Sequence, residues 1–285
     1  MNKLPMLVIL LVGLSGCLAG QKKTCEKPQV VVSILPVKSF VEKIAGDDFD
    51  IILLIPHGAN PATYSLSPSQ MRGISRAAAW FRMGYIGFEL SWYGRISETY
   101  PALKIVDLSE GLDLISRNPE ENQPFHAGVD PHTWLSPTRV KIMSDRIFRE
   151  LTRMNPGKED LYRENYQKFL DEIVRTDREI RAILQKAPGR KFISYHPSLS
   201  YFARDYGLIQ LSMEEGGKEP TPARLAVIAE TAKQEGIKAV FIQSDFDKEF
   251  ASAFAGEIGA KIIQIWPLNP DWSENLLTIA RLLSD

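Results

Sequence analysis

From residue 29 onward, short runs of β-branched and aromatic residues alternate with longer stretches in which apolar side chains recur every three or four positions. The short runs 30–35, 50–55, 80–83 and 104–106 predict strands, and so do 191–195, 208–211, 239–243 and 262–266. Turn residues or helical stretches follow them, a rhythm that predicts parallel sheets covered by helices. Ser67-Pro68-Ser69 and Ser136-Pro137 each set a capping side chain ahead of a proline, which marks a helix start. The second of these helices should run to about residue 154, where Asn155-Pro156-Gly157 stops it. Further helices are expected near 221–235, 248–258 and 273–283.

The clearest pattern lies in residues 158–187, where Tyr162, Tyr166, Phe169, Ile173, Ile180 and Leu184 recur at mostly three- or four-residue steps. Charged residues fill the other face, and neither Gly nor Pro interrupts it. One helix of that length would span about 45 Å, more than the width of a small domain, so it should join two domains and touch both. The expected fold is therefore α/β: two lobes with mainly parallel sheets flanked by helices, residues 29–157 and 188–285, joined by a linking helix over 158–187.

The beginning of the chain follows a different pattern. Lys3 precedes a nearly continuous apolar stretch over 4–14, short of the roughly 20 residues a spanning helix needs, which predicts a cleaved secretion signal over residues 1–16. Leu14-Ser15-Gly16-Cys17 resembles the bacterial lipobox, which implies lipid on Cys17, a tether over 17–28 and a protein held outside the cytoplasm on a bacterial membrane. Cys25 would then have no intramolecular partner. Hydrophobic residues make up 44% of the 285 and charged residues 24%, so the chain can build real cores. Loss of residues 1–16 removes only Lys3 among the charges, leaving 33 basic side chains against 35 acidic ones and a formal charge of −2. No basic field is available to hold a nucleic acid.

Three of the four histidines share a setting. Pro56-His57 follows the predicted strand 50–55, His196-Pro197 follows 191–195, and Pro131-His132 precedes Thr133-Trp134. Ligands of open α/β sheets bind beyond the carboxyl ends of strands, which places His57 and His196 where a site would form, one from each lobe. Imidazoles suit borderline metals, and three of them with one carboxylate would make a four-coordinate shell for zinc, whereas manganese prefers more oxygen donors. For any single histidine, a hydrogen-bonded strand end is the better explanation. The chain lacks a G-x-S-x-G elbow, a Walker loop and a G-x-G-x-x-G after a strand, so acyl transfer, nucleotide hydrolysis and dinucleotide binding lack their usual parts. Glu214 with Glu215, and Asp245 with Asp247, read as solvated surface acids.

The blocks Pro56-His57-Gly58-Ala59-Asn60-Pro61-Ala62-Thr63-Tyr64, Asp130-Pro131-His132-Thr133-Trp134-Leu135 and His196-Pro197 with Tyr201-Phe202-Ala203-Arg204-Asp205-Tyr206-Gly207 resemble the ZnuA/TroA-like metal-binding lipoproteins of ABC importers. The likeness extends through Gly217-Lys218-Glu219-Pro220-Thr221-Pro222 and Pro270-Asp271-Trp272. It implies a monomeric solute-binding protein that holds zinc, or alternatively manganese, between two lobes and passes the ion to a membrane permease without catalysis. Carried over residue by residue, His132, His196 and Asp271 match family ligands. The first ligand departs from the pattern: relatives place histidine where Ala62 stands, and His57 lies five positions earlier. His57 can substitute only if residues 58–61 fold back, since five extended residues reach about 16 Å. His126, in the loop before Asp130, is a possible extra ligand. Trp266 stands where relatives often carry an aspartate. A metal-dependent hydrolase using an open coordination position, and an adhesin with a vestigial metal site, are the alternative functions these residues allow.

Overall fold

The computed structural model describes residues 27–116, 128–187, 189–214, 219–243 and 248–284. The expected signal segment, Cys17, Cys25 and His126 lie outside them. The first half runs β1 (Gln29–Val32), α1 (Leu35–Ala45), β2 (Asp50–Leu53), α2 (Pro68–Ile74), β3 (Ala79–Arg82), α3 (Gly87–Thr99) and β4 (Lys104–Asp107). Its four strands are all parallel, in the order β2-β1-β3-β4. Then come α4 (Pro137–Met154) and α5 (Glu159–Leu184). The second half runs β5 (Lys191–Ser194), α6 (Ser200–Tyr206), β6 (Ile209–Ser212), α7 (Pro222–Glu235), β7 (Ala239–Gln243), α8 (Lys248–Glu257), β8 (Lys261–Ile265) and α9 (Trp272–Ser284). Its parallel order, β6-β5-β7-β8, repeats that of the first half, although no repeat shows in the sequence.

The strand expected over 30–35 ends at Val32, because Pro36 opens α1 and Ile34 caps it in extended conformation. The apolar run continues unbroken into the buried face of the helix, and strand and helix look alike where both are buried. At α2 the Ser67 side chain accepts from the Gln70 amide and the Gln70 side chain accepts from the Ser67 amide, a complete capping box. Ser136 caps α4 in the same way through the Arg139 amide.

Helix α5 has 26 residues, about 39 Å at the standard rise. Its apolar stripe buries Tyr162, Phe169, Ile173, Ile180 and Leu184, and Tyr166 stacks on Phe148 of α4 with ring centroids 4.9 Å apart. Thr176 fills the gap in the stripe between Ile173 and Ile180. Its hydroxyl donates to the Glu172 carbonyl at 2.8 Å and meets Ser273 Oγ of α9 at 2.5 Å. The helix is tied to both lobes. Tyr162 donates to Asp48 at 3.0 Å, and its hydroxyl is pushed up to about 12 by burial and by that carboxylate. Toward the other end, Asp177 accepts from Tyr206 of α6 at 2.9 Å, and burial with Asp177 beside it holds that phenol above its ordinary range.

One hydrophobic core runs through both lobes. It includes Val31, Phe40, Phe81 and Ile147 from the first half and Phe192, Phe202, Phe241 and Trp272 from the second. A smaller cluster around Ile193, Val240, Ala251 and Phe254 fills the far side of the second sheet. Trp272, 1% exposed at the start of α9, lies edge-on to Phe40 of α1 at 5.8 Å and to Phe169 of α5 at 6.3 Å. A side chain from the second half thus sits among those of the first. Among the described residues, no helix is long and apolar enough to cross a membrane.

Candidate metal site

His196 emerges just after β5, the strand at which the order of the second sheet reverses, where crevices open in such sheets. His132 approaches from the other half at the start of the single helical turn Thr133–Leu135 that leads into α4. Their rings stand edge to face with centroids 5.2 Å apart. Residues 64 positions apart in sequence, on elements of different lobes, therefore present imidazoles to one spot.

Each ring is held by its own carboxylate. His132 Nδ1 lies 2.7 Å from Asp130 Oδ1, which also accepts from the His132 amide at 3.0 Å, and the Asp130 side chain is fully buried. His196 Nδ1 lies 2.5 Å from Glu214 Oε2, and Glu214 is only 8% exposed. Since an ionised carboxylate only accepts, both Nδ1 atoms are assigned as N–H donors, which puts the lone pair of each ring on Nε2. This is the tautomer an imidazole needs to bind a metal through Nε2, with an outer carboxylate orienting the ring and raising its basicity. Glu214 is a correction to the sequence reading, which took it for a solvated surface acid; the chain turns after β6 and carries its side chain inward to His196.

The segment around His132 is locked to the second lobe by two tryptophans. Trp134 Nε1 donates to the Pro267 carbonyl at 2.8 Å, and Trp272 Nε1 donates to the Trp134 carbonyl at 2.6 Å. Ser136 and Arg139 at the start of α4 both bond Asp205 of α6, the guanidinium at 2.9 Å. With the segment that follows His132 tied to the lobe that carries His196, little reorganisation is left for an arriving ion.

The remaining sequence candidates are placed differently. His57 is exposed and packs its ring edge-on against Trp266, just after β8, with centroids 4.5 Å apart. Its loop contains two turns, closed by Ala59 N–H to the Pro56 carbonyl and Thr63 N–H to the Asn60 carbonyl. The far end of that loop is seated on α3: Phe88 N–H donates to the Pro61 carbonyl at 3.0 Å, and a Cβ on Gly87 would lie 2.7 Å from the Ala62 carbonyl oxygen. Asp271 is exposed at the start of α9, its amide donating to Asn269 Oδ1 and its carbonyl accepting from Asn275 N–H. Among the described residues no group of three or more His, Cys, Asp or Glu side chains is arranged to hold a metal ion, and the histidines that the structure brings together are His132 and His196.

Two parallel-sheet lobes, a long connecting helix and paired imidazoles in the crevice define a two-lobed solute-binding protein. The profile described as "ZnuA: Zinc-uptake complex component A periplasmic" matches residues 30–281, and the chain belongs to that family. A candidate metal-binding protein of Chlamydia muridarum (strain MoPn / Nigg) is 31% identical over 90% of this chain and 91% of its own length. The high-affinity zinc uptake system protein ZnuA of Bacillus subtilis (strain 168) is 26% identical over 83% of this chain and 77% of its own. A crystal structure of ZnuA superposes with a TM-score of 0.83 at 36% identity, covering 91% of this chain and 98% of that one. A zinc-bound ZnuA variant lacking residues 138–173 of its own sequence superposes equally well, with a TM-score of 0.83.

Proposed function

We propose that this protein is the extracytoplasmic solute-binding component of an ABC importer and that it captures Zn²⁺ between its lobes for delivery to a membrane permease. The observation that carries the reading is the His132–His196 pair, 5.2 Å between ring centroids, each ring with Nδ1 on a buried carboxylate. Nε2 of each ring supplies a donor, and water completes the shell. His57, whose ring packs on Trp266, and Asp271 at the start of α9 are the further ligands the family pattern offers. Nitrogen donors of this kind favour zinc over manganese. The protein performs no catalysis in this role. Residues 1–16 act as the export signal, lipid on Cys17 anchors a monomer through the tether 17–28, and the lobes occupy residues 29–157 and 188–285.

Calorimetric titration of metal-stripped protein with zinc and with manganese tests this proposal. Stoichiometric zinc binding in the wild type that is strongly weakened, yet still measurable, in both His132→Ala and His196→Ala is expected. Failure of the wild-type protein to take up either ion would overturn the reading.

A further inference from the structure

The hydroxyl of Tyr201 occupies an unusual place. The stems of the loop before His132 meet as an antiparallel pair, with Ser116 bridged to Val129 and the Asp130 amide donating to the Ile115 carbonyl at 2.9 Å. In a regular ladder the reciprocal bond would run from the Ile115 amide to the Asp130 carbonyl. Here Tyr201 stands between them: Oη accepts from the Ile115 amide at 3.0 Å and donates to the Asp130 carbonyl at 2.8 Å. Tyr201 is fully buried, and two guanidinium groups pack on its ring, Arg139 at 4.6 Å and Arg204 at 5.3 Å from the centroid. Both arginines also donate to the Asp113 carbonyl on the incoming stem.

Tyr201 lies on α6, five positions after His196, whereas Asp130 carries the carboxylate that holds His132. A single hydroxyl therefore joins the segment bearing one imidazole to the segment bearing the other. From this we infer that Tyr201 is a positioning residue for the metal site: its hydroxyl sets the separation of the two imidazoles by fixing the Asp130 backbone relative to α6. The inference rests on the metal-capture reading above and adds a residue that touches no ion. Removal of the hydroxyl leaves the half-buried Ile115 amide and the buried Asp130 carbonyl to find each other directly, which requires the Asp130–His132 segment to shift toward Ile115.

The test is a double-mutant cycle on zinc affinity with Tyr201→Phe, which keeps the ring against the two arginines, and His132→Ala. Tyr201→Phe should weaken zinc binding about tenfold, the lower end of what outer partners of metal ligands contribute. It should weaken it no further when His132 is already alanine, while the loss in melting temperature stays the same in both backgrounds. Equal loss of affinity in both backgrounds would show a general structural role and overturn the inference, as would unchanged affinity in Tyr201→Phe alone. Wild-type protein that takes up no zinc would instead sink the capture reading itself, and this inference with it.

Discussion

Replacement of Glu214 isolates the contribution of an outer carboxylate to the site. Its Oε2 lies 2.5 Å from His196 Nδ1 and its side chain is 11% exposed, so solvent and salt screen the pair weakly. A hydrogen bond to a charged partner contributes about 1.5–3 kcal/mol, roughly twice a neutral one. Glu214→Gln keeps an acceptor of the same shape and removes the charge, so about half of that, near 1 kcal/mol, should be lost, or roughly a fivefold weaker site. Glu214→Leu removes the acceptor as well and should cost the whole amount, a loss of about 10- to 150-fold. Competition of each metal-stripped variant with a chromophoric zinc chelator measures both. The graded order wild type, Gln, Leu is the expected result. If both variants bind like wild type while His196→Ala does not, the carboxylate has no part in preparing the imidazole and the reasoning fails.

Three further outcomes follow from the same structure. Trp272→Ala should lower stability by about 3–5 kcal/mol in chemical denaturation, because the indole is buried between helices of different halves, and a loss under 1 kcal/mol would show that the halves do not share that packing. The Tyr162 phenol, pushed up to about 12, keeps its proton in the folded state while the unfolded chain loses it near 10, so its contribution is complete below pH 10 and is lost as pH rises toward 12. Tyr162→Phe should flatten stability over that alkaline window, as followed by circular dichroism. His57→Ala should leave zinc affinity close to wild type, because its ring rests on Trp266; a loss of tenfold or more in the same titration would place the imidazole on the ion.

Helices α4 and α5 were legible in the sequence because each carries a single apolar stripe, and α4 also has a cap and a stop. Helix α1 was hidden for the opposite reason: its apolar positions continue those of β1, so no change of period marks the boundary. The setting of His132 and His196 could be read from strand ends and adjacent prolines. The carboxylate on His196 could not, since Glu214 lies 18 positions away and reaches it only through the fold of β5, α6 and β6. Asp130 stood in plain view beside His132, but nothing in the spacing showed that its side chain would turn onto the ring. The contact of His57 with Trp266 joins the ends of strands in different sheets, a pairing that no local pattern encodes.

The core shared between the halves bears on how cargo is exchanged. A clamshell needs a seam along which its shells can part, and here that seam is filled by hydrocarbon, with Trp272 wedged into the opposite half. To expose one buried indole of about 150–250 Å² costs about 4–6 kcal/mol at 25 cal/mol per Å², which confines a gaping form to fewer than about one molecule in a thousand. Loading and unloading through a gaping form would meet that cost each time, whereas ångström-scale shifts of the segments that carry the imidazoles would not. The permease would receive a nearly rigid vessel, and its task would be to loosen a few contacts at the rim.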